Sequence, residues 1–169
     1  MRYIENIIVF IECIGMKGVS IKTADLAFGE KNEKDNLPIL KKMFGEDLEK
    51  TKGKFCLKDF ENAKYYVEQK SRKCKSTDYA DYMIGQNKID DALKADRKYV
   101  IVMSFTDGLF FYEFKKEDIG NGIEMRLGGR MDRTDSSGNL VDERKVCAFI
   151  HKRLFTRLVW KGVNIIYCY

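Results

Sequence analysis

Two carboxylates and a lysine stand near the middle of the chain: Asp59, then Glu68 with eight residues between, then Lys70. The stretch KYYVEQKSRK, residues 64–73, opens as an aromatic and β-branched run that suits a packed strand. Residues two apart in a strand share a face, so Tyr66, Glu68 and Lys70 point one way and Tyr65, Val67 and Gln69 the other. KFCLKDF (54–60) is also strand-like, and a tight hairpin would set Asp59 against Glu68, with the strands about 4.8 Å apart. Two converging carboxylates are what a hard divalent cation needs. Mg²⁺ takes a few carboxylate or carbonyl oxygens, here including the Gln69 carbonyl, and keeps its waters; Mn²⁺ is the alternative. Lys70 would then lie beside the attacking water, to orient it, help deprotonate it, or neutralise phosphate charge.

A plainer reading stands beside this one. The chain is 34% charged, and E-x-K occurs in it three times, at Glu68, Glu113 and Glu143. The second copy has Asp107 upstream, but T-D-G is turn chemistry, and a turn aspartate meets a carboxylate well down the next strand poorly. The third copy sits in a polar loop with no acid on a preceding strand. For Glu68 and Lys70 themselves the alternative is a cross-strand ion pair on a solvated face, about 0.2–1 kcal/mol.

The elements that must position these residues follow from the apolar pattern. Residues 28–44 are helical with an expected break near Pro38, the one proline of the chain. KYYVEQKS (64–71) pairs back on 54–60 as a hairpin. Residues 80–96 space Tyr82, Ile84, Ile89 and Leu93 as one helical face. KYVIVMSF (98–105) is continuously apolar, as a buried central strand is, and T-D-G turns it into LFFYEF (109–114). VCAFIHKRLFTRLVW near the end predicts a helix, and NIIYCY a short strand. Residues 119–143 are polar and glycine-rich, a long loop inside one domain spanning 1–169. Helices and strands mix, so the class is α/β or α+β.

At 169 residues and 44% hydrophobic content the chain can bury one core. The formal net charge of +5 is compatible with a polyanionic partner without demanding one. Five scattered cysteines with no C-x-x-C pair point to reduced thiols, hence an intracellular location, and with His151 as the one histidine the pattern argues against a zinc site. NIIVFIECIG near the N-terminus is too short to span a bilayer and predicts a core strand or a buried helix start. Arg130 and Arg133, in the glycine-rich stretch GGRMDR, suit contact with phosphate, because glycine lets the backbone approach closely; a solvated loop explains them almost as well.

The arrangement Asp59, Glu68, Lys70 resembles the D-x(n)-E-x-K motif of the PD-(D/E)xK nucleases. VEQKSR, Tyr79, IGQNKIDDALK, YVIVMSFTDGLFFYEF and GGRMDR are further similar to small single-domain members found in large DNA viruses. The likeness covers roughly residues 28–133. Lys58 stands before Asp59 where the family often has proline. The resemblance implies a restriction-endonuclease-like core, a central mixed β-sheet flanked by helices, with residues 1–25 as an additional N-terminal element. It implies an Mg²⁺- or Mn²⁺-dependent endonuclease with Asp59 and Glu68 as metal ligands and Lys70 acting on water. FGEKNE is similar to the superfamily's leading helix, which adds Glu33 (Glu30 in reserve) to the metals. Arg72, Tyr79, Lys88, Arg130 and Arg133 would contact nucleic acid. The partner is nucleic acid, DNA ahead of RNA, in the cytoplasm or nucleus of a host cell, with no membrane; symmetric cutting of a duplex would require a homodimer. A fold that binds nucleic acid without cutting it is the alternative.

Overall fold

The structure is a computed structural model, and it describes residues 21–53, 56–129, 131, 133–134, 139–161 and 164–168. Helix α1 (Ile21–Phe44) leads into β1 (Glu49–Lys50), β2 (Phe60–Glu61) and β3 (Tyr65–Ser71). Strand β4 (Asp81–Gly85) and helix α2 (Gln86–Lys94) follow, then β5 (Lys98–Phe105), β6 (Gly108–Glu113) and β7 (Ile123–Gly128). The chain ends in β8 (Arg133–Thr134), β9 (Leu140–Val141), β10 (Lys145–His151), β11 (Thr156–Lys161) and β12 (Asn164–Cys168). This is the expected α/β class with a central mixed sheet.

That sheet has seven strands in the order β1-β2-β3-β5-β6-β11-β12. Strands β3 and β5 run parallel, from Tyr65 opposite Lys98 to Ser71 opposite Ser104, and the other pairs are antiparallel. Strand β5 alternates cleanly. Val100 and Val102 face α1, with Val67, Leu40, Phe44, Leu48 and Phe60. Tyr99, Ile101, Met103 and Phe105 face the other way, into a core with Ile89 and Ala92 of α2 and with Tyr82, Ile84, Ala148 and Ile150. The last four belong to a second sheet, β4-β10-β7, stacked on that face. Both faces of β5 are therefore covered, which is why its sequence is apolar without interruption.

Four expectations change. Helix α1 runs through Pro38 without a break. The lost N–H bond is outweighed by Leu40 and Phe44, which lie beyond the proline and bury against the sheet. Residues 81–85 are strand, and the helix begins only at Gln86. Tyr82 and Ile84 are both buried in a period-two pattern, and in α2 it is Ile89 and Ala92 that are buried while Leu93 is exposed. The stretch expected as a helix near the C-terminus is β10, a 3₁₀ turn (Lys152–Leu154) and β11. Strand β10 is central in its sheet, and its run VCAFI is apolar without alternation, which periodicity cannot tell from a buried helix. The polar stretch 119–143 holds β7 as well as β8 and β9.

The β2–β3 hairpin forms, but β2 is only two residues long. Asn62 organises the turn: its Oδ1 accepts from the backbone of Lys64 and Tyr65, and its Nδ2 donates to the Phe44 carbonyl at 2.9 Å. The β5–β6 turn confirms Asp107 as a turn residue: Gly108 takes φ +148°, and the Asp107 carboxylate accepts from the Ser76 N–H and hydroxyl at 2.8 and 2.7 Å. Glu113, of the second E-x-K, pairs instead with Lys98 at 2.9 Å. The apolar run NIIVFIECIG lies outside the described residues, and residues 21–25 are the first turns of α1.

Leu40→Ala, at a fully buried contact of α1 with the sheet, should cost about 2–5 kcal/mol in denaturant unfolding. Leu26→Ala, on the exposed start of the same helix, should cost less than 1 kcal/mol, within about ±0.5. The hydrogen bonds from Ser76 hold the Asp107 carboxyl below its ordinary range. A depressed pKa gives stability that is present above the unfolded pKa, about 3.9, and lost as pH falls through the folded value. Asp107→Ala should therefore lower Tm modestly at neutral pH, and the gap to the natural protein should close as pH drops below about 4.

Candidate active site

A cavity of about 670 Å³ opens at the carboxyl end of β3, walled by α1 on one side and the β1–β2 segment on the other. Glu33, Lys50, Asp59, Lys70 and Arg72 line it. Asp59 precedes β2 and is held from both sides by its backbone, donating to the Val67 carbonyl and accepting from the Thr51 N–H, each at 2.9 Å. Its Oδ2 accepts the Gln69 N–H at 2.7 Å. Since β2 ends before it could pair with this part of β3, the Asp59 carboxylate occupies the place of a backbone acceptor. Burial pushes its pKa up, the Gln69 N–H opposes that, and Glu33 adds to it.

Glu68 is buried, 5% exposed, and its side chain turns toward α2. Its Oε2 accepts from Lys88 Nζ at 2.7 Å, and the same ammonium donates to the Leu57 carbonyl at 2.5 Å. Burial, and then the nearby Asp59, push the Glu68 carboxyl up to about 8 against the pull of Lys88 and Lys70. Lys70 moves the other way: burial and then Arg72 lower it, while the two carboxylates oppose. The site thus presses its acids and its base toward their neutral forms, a usual mark of groups arranged for chemistry.

The structure brings Glu33, Asp59, Lys70 and Arg72 to the lining of one cavity, while Glu68 is buried and off the lining. Glu33 pairs with Lys50 at 2.8 Å, a partner that the sequence offered no signal for. Arg72 donates to the Met83 carbonyl at 2.6 Å. Lys88, expected as a nucleic-acid contact, is half-buried and pairs with Glu68 at 2.7 Å. Tyr79 is 62% exposed and lines a neighbouring pocket. Arg130 lies outside the described residues, and for Arg133 only the backbone, in β8, is described.

Among the described residues no three His, Cys, Asp or Glu side chains converge on one point. The charge of Asp59 nevertheless adds to the upward shift of Glu68, whose carboxylate is already engaged by Lys88 at 2.7 Å. Two hard carboxylate oxygens and the Gln69 carbonyl fit Mg²⁺ or Mn²⁺, since Mg²⁺ is commonly held by one or two carboxylates and completes its shell with water. Of that donor set, Asp59 and Gln69 line the cavity, and the Glu68 carboxylate is engaged by Lys88.

No curated protein and no solved structure matches the chain. A family model described as "Phage putative PDDEXK endonuclease" matches residues 33–158, a span that runs from Glu33 through Asp59, Glu68 and Lys70 to β11. With that match over most of its length, and with the acid, acid and lysine set gathered at the end of β3, the chain belongs to the PD-(D/E)xK nuclease superfamily.

Proposed function

We propose that this protein is a divalent-metal-dependent nuclease that hydrolyses phosphodiester bonds in DNA. One observation carries the reading: Asp59 and Lys70 line the same cavity, with Glu68 beside them, in a chain of this superfamily. Asp59, Glu68 and the Gln69 carbonyl would hold Mg²⁺ or Mn²⁺, with Glu33 at the edge of the set. When bound, the ion supplies positive charge to the phosphate and to the leaving oxygen.

The chain's own groups do the rest. Arg72 and Lys73 line the cavity and would hold the strand's phosphates, an attraction that weakens as salt rises. Lys70 is exposed toward the cavity, and partial desolvation in the cavity wall, then Arg72, lower its pKa from the ordinary lysine value. That direction favours the neutral amine, the form able to take a proton from water. As the water oxygen bonds to phosphorus, its proton passes to Lys70 Nζ, the bond to the leaving oxygen breaks, and that oxygen takes a proton from solvent. Lys88 holds the Glu68 carboxylate in place at 2.7 Å and limits what its burial costs. Lys50 does the same for Glu33 at 2.8 Å.

The purified protein should nick or linearise plasmid, or degrade single-stranded DNA, with Mg²⁺ or Mn²⁺ and not with EDTA. Lys70→Ala and Asp59→Asn should each lower the rate by about 100-fold or more. Both variants should melt close to the natural protein, so that loss of activity is not loss of fold. Cutting that survives in Lys70→Ala would assign the activity to a contaminant or to other residues. Cutting of RNA alone would keep the chemistry and change the substrate.

A further inference from the structure

A second pocket, of about 320 Å³, adjoins the cavity and shares one residue of its wall, Arg72. It lies between β5 of the main sheet and the β4–β10 layer. Its floor is Tyr82 and Phe105, both buried, with ring centroids 4.7 Å apart. Met83 and Phe149 form the sides, and Tyr79 stands at the rim, 62% exposed. The loop that carries Tyr79 is fixed: the Tyr82 hydroxyl donates to the Ser76 carbonyl at 3.1 Å, and Ser76 is tied to Asp107. Nothing in the folding of β4 or β5 requires an exposed aromatic ring at this mouth.

The pocket's surroundings match one kind of occupant. Its interior offers ring faces and a thioether, and the polar groups at its edge are already engaged, Asp81 with Arg126 at 2.7 Å and Arg72 with the Met83 carbonyl. Positive charge lies at the two ends, from Arg72 on the cavity side and from Arg126, whose guanidinium sits 3.9 Å from the centre of the Phe149 ring. A flat apolar ring inside and a phosphate at Arg72 is the chemistry of a nucleotide. The volume is at the small end for a bound organic group, enough for one base and too little for a stacked pair.

We propose that this pocket takes one unpaired nucleobase, next to the phosphate that is cut, so that the protein acts on single-stranded or locally unpaired nucleic acid. The inference rests on the nuclease reading above. A base inside a duplex has both faces covered by its neighbours, so it must leave the stack to enter. Contact through ring faces accepts any base, so the selection is for an unpaired strand and not for a sequence.

The test is cleavage of end-labelled single-stranded DNA and RNA carrying an abasic sugar at one defined position, resolved phosphate by phosphate. Cutting should fall about tenfold at one fixed offset from the abasic sugar, while the flanking phosphates are cut normally. Tyr79→Ala should abolish that dip and raise KM on single strands by a similar factor, leaving kcat little changed, and Tyr79→Phe should restore both. Alongside, strands containing 2-aminopurine, bound without added metal, should lose emission on natural protein and less so on Tyr79→Ala. Normal cutting with no offset dip and no quenching overturns the proposal while the nuclease reading stands. Quenching without cutting under any metal upholds the pocket and sinks the nuclease reading. Neither cutting nor quenching overturns both.

Discussion

The parallel pairing of β3 with β5 is the constraint on which the rest of the site depends. Parallel neighbours cannot be joined by a tight turn, so the chain must cross over the sheet between them. Here the crossover consists of β4 and α2, and it packs on the face that Tyr66, Tyr99 and Ile101 present. Glu68 shares that face. The first turn of α2 therefore arrives over Glu68, and Lys88 meets its carboxylate at 2.7 Å. The counter-charge of the buried acid is a product of the topology, set by the same pairing that buries the acid.

The other edge of β3 follows an opposite logic. Strand β2 pairs with it through Phe60 and Glu61, and among the described residues no strand lies beside that edge beyond Val67. An uncovered edge leaves backbone donors to be satisfied. The Asp59 carboxylate takes the Gln69 N–H, and the space left by the missing strand is the cavity. Helix α1 closes that space from the sheet's other face and brings Glu33 to its wall. The shortness of β2 thus places a carboxylate, opens the cavity and admits solvent to Lys70 at one stroke.

Much of this was legible in the sequence, and the failures have physical causes. The E-x-K strand, the continuous apolar strand beside it and the T-D-G turn were legible because each is a local pattern: alternation, length and turn chemistry. The hairpin that sets Asp59 against β3 was legible from spacing. The helix expected over 80–96 starts only at Gln86, since Tyr82 and Ile84 fit a period of two as well as a helical face. The stretch expected as a helix near the C-terminus is strand, its apolar run VCAFI showing no alternation. Pro38 misled because local propensity cannot weigh the tertiary contact of Leu40 and Phe44. Lys88 was legible as a cation but not as a partner of Glu68, since that pair depends on the crossover and joins residues 20 apart in sequence. Lys50 as partner of Glu33 was hidden for the same reason.

The site also holds a polar side chain that the fold leaves without partners. Among the described residues, Gln69 is buried with neither of its side-chain polar atoms hydrogen-bonded, while Tyr99 faces Asp91, whose Oδ2 lies 4.0 Å from Lys58 Nζ. Gln69 lies between Glu68 and Lys70 and lines the cavity. Tyr99, held in its neutral form by burial, feels the charges of Glu68, Asp91 and Asp59. A buried polar group without a partner costs about 1–3 kcal/mol, and a protein selected only for stability would replace it with an apolar one. Elsewhere the described core does so: Val67, Val100, Ile101 and Val102, within a few residues of the site, are fully apolar and fully buried. A buried, unpartnered amide at Gln69, between Glu68 and Lys70, is what a fold carries where a position has work other than packing.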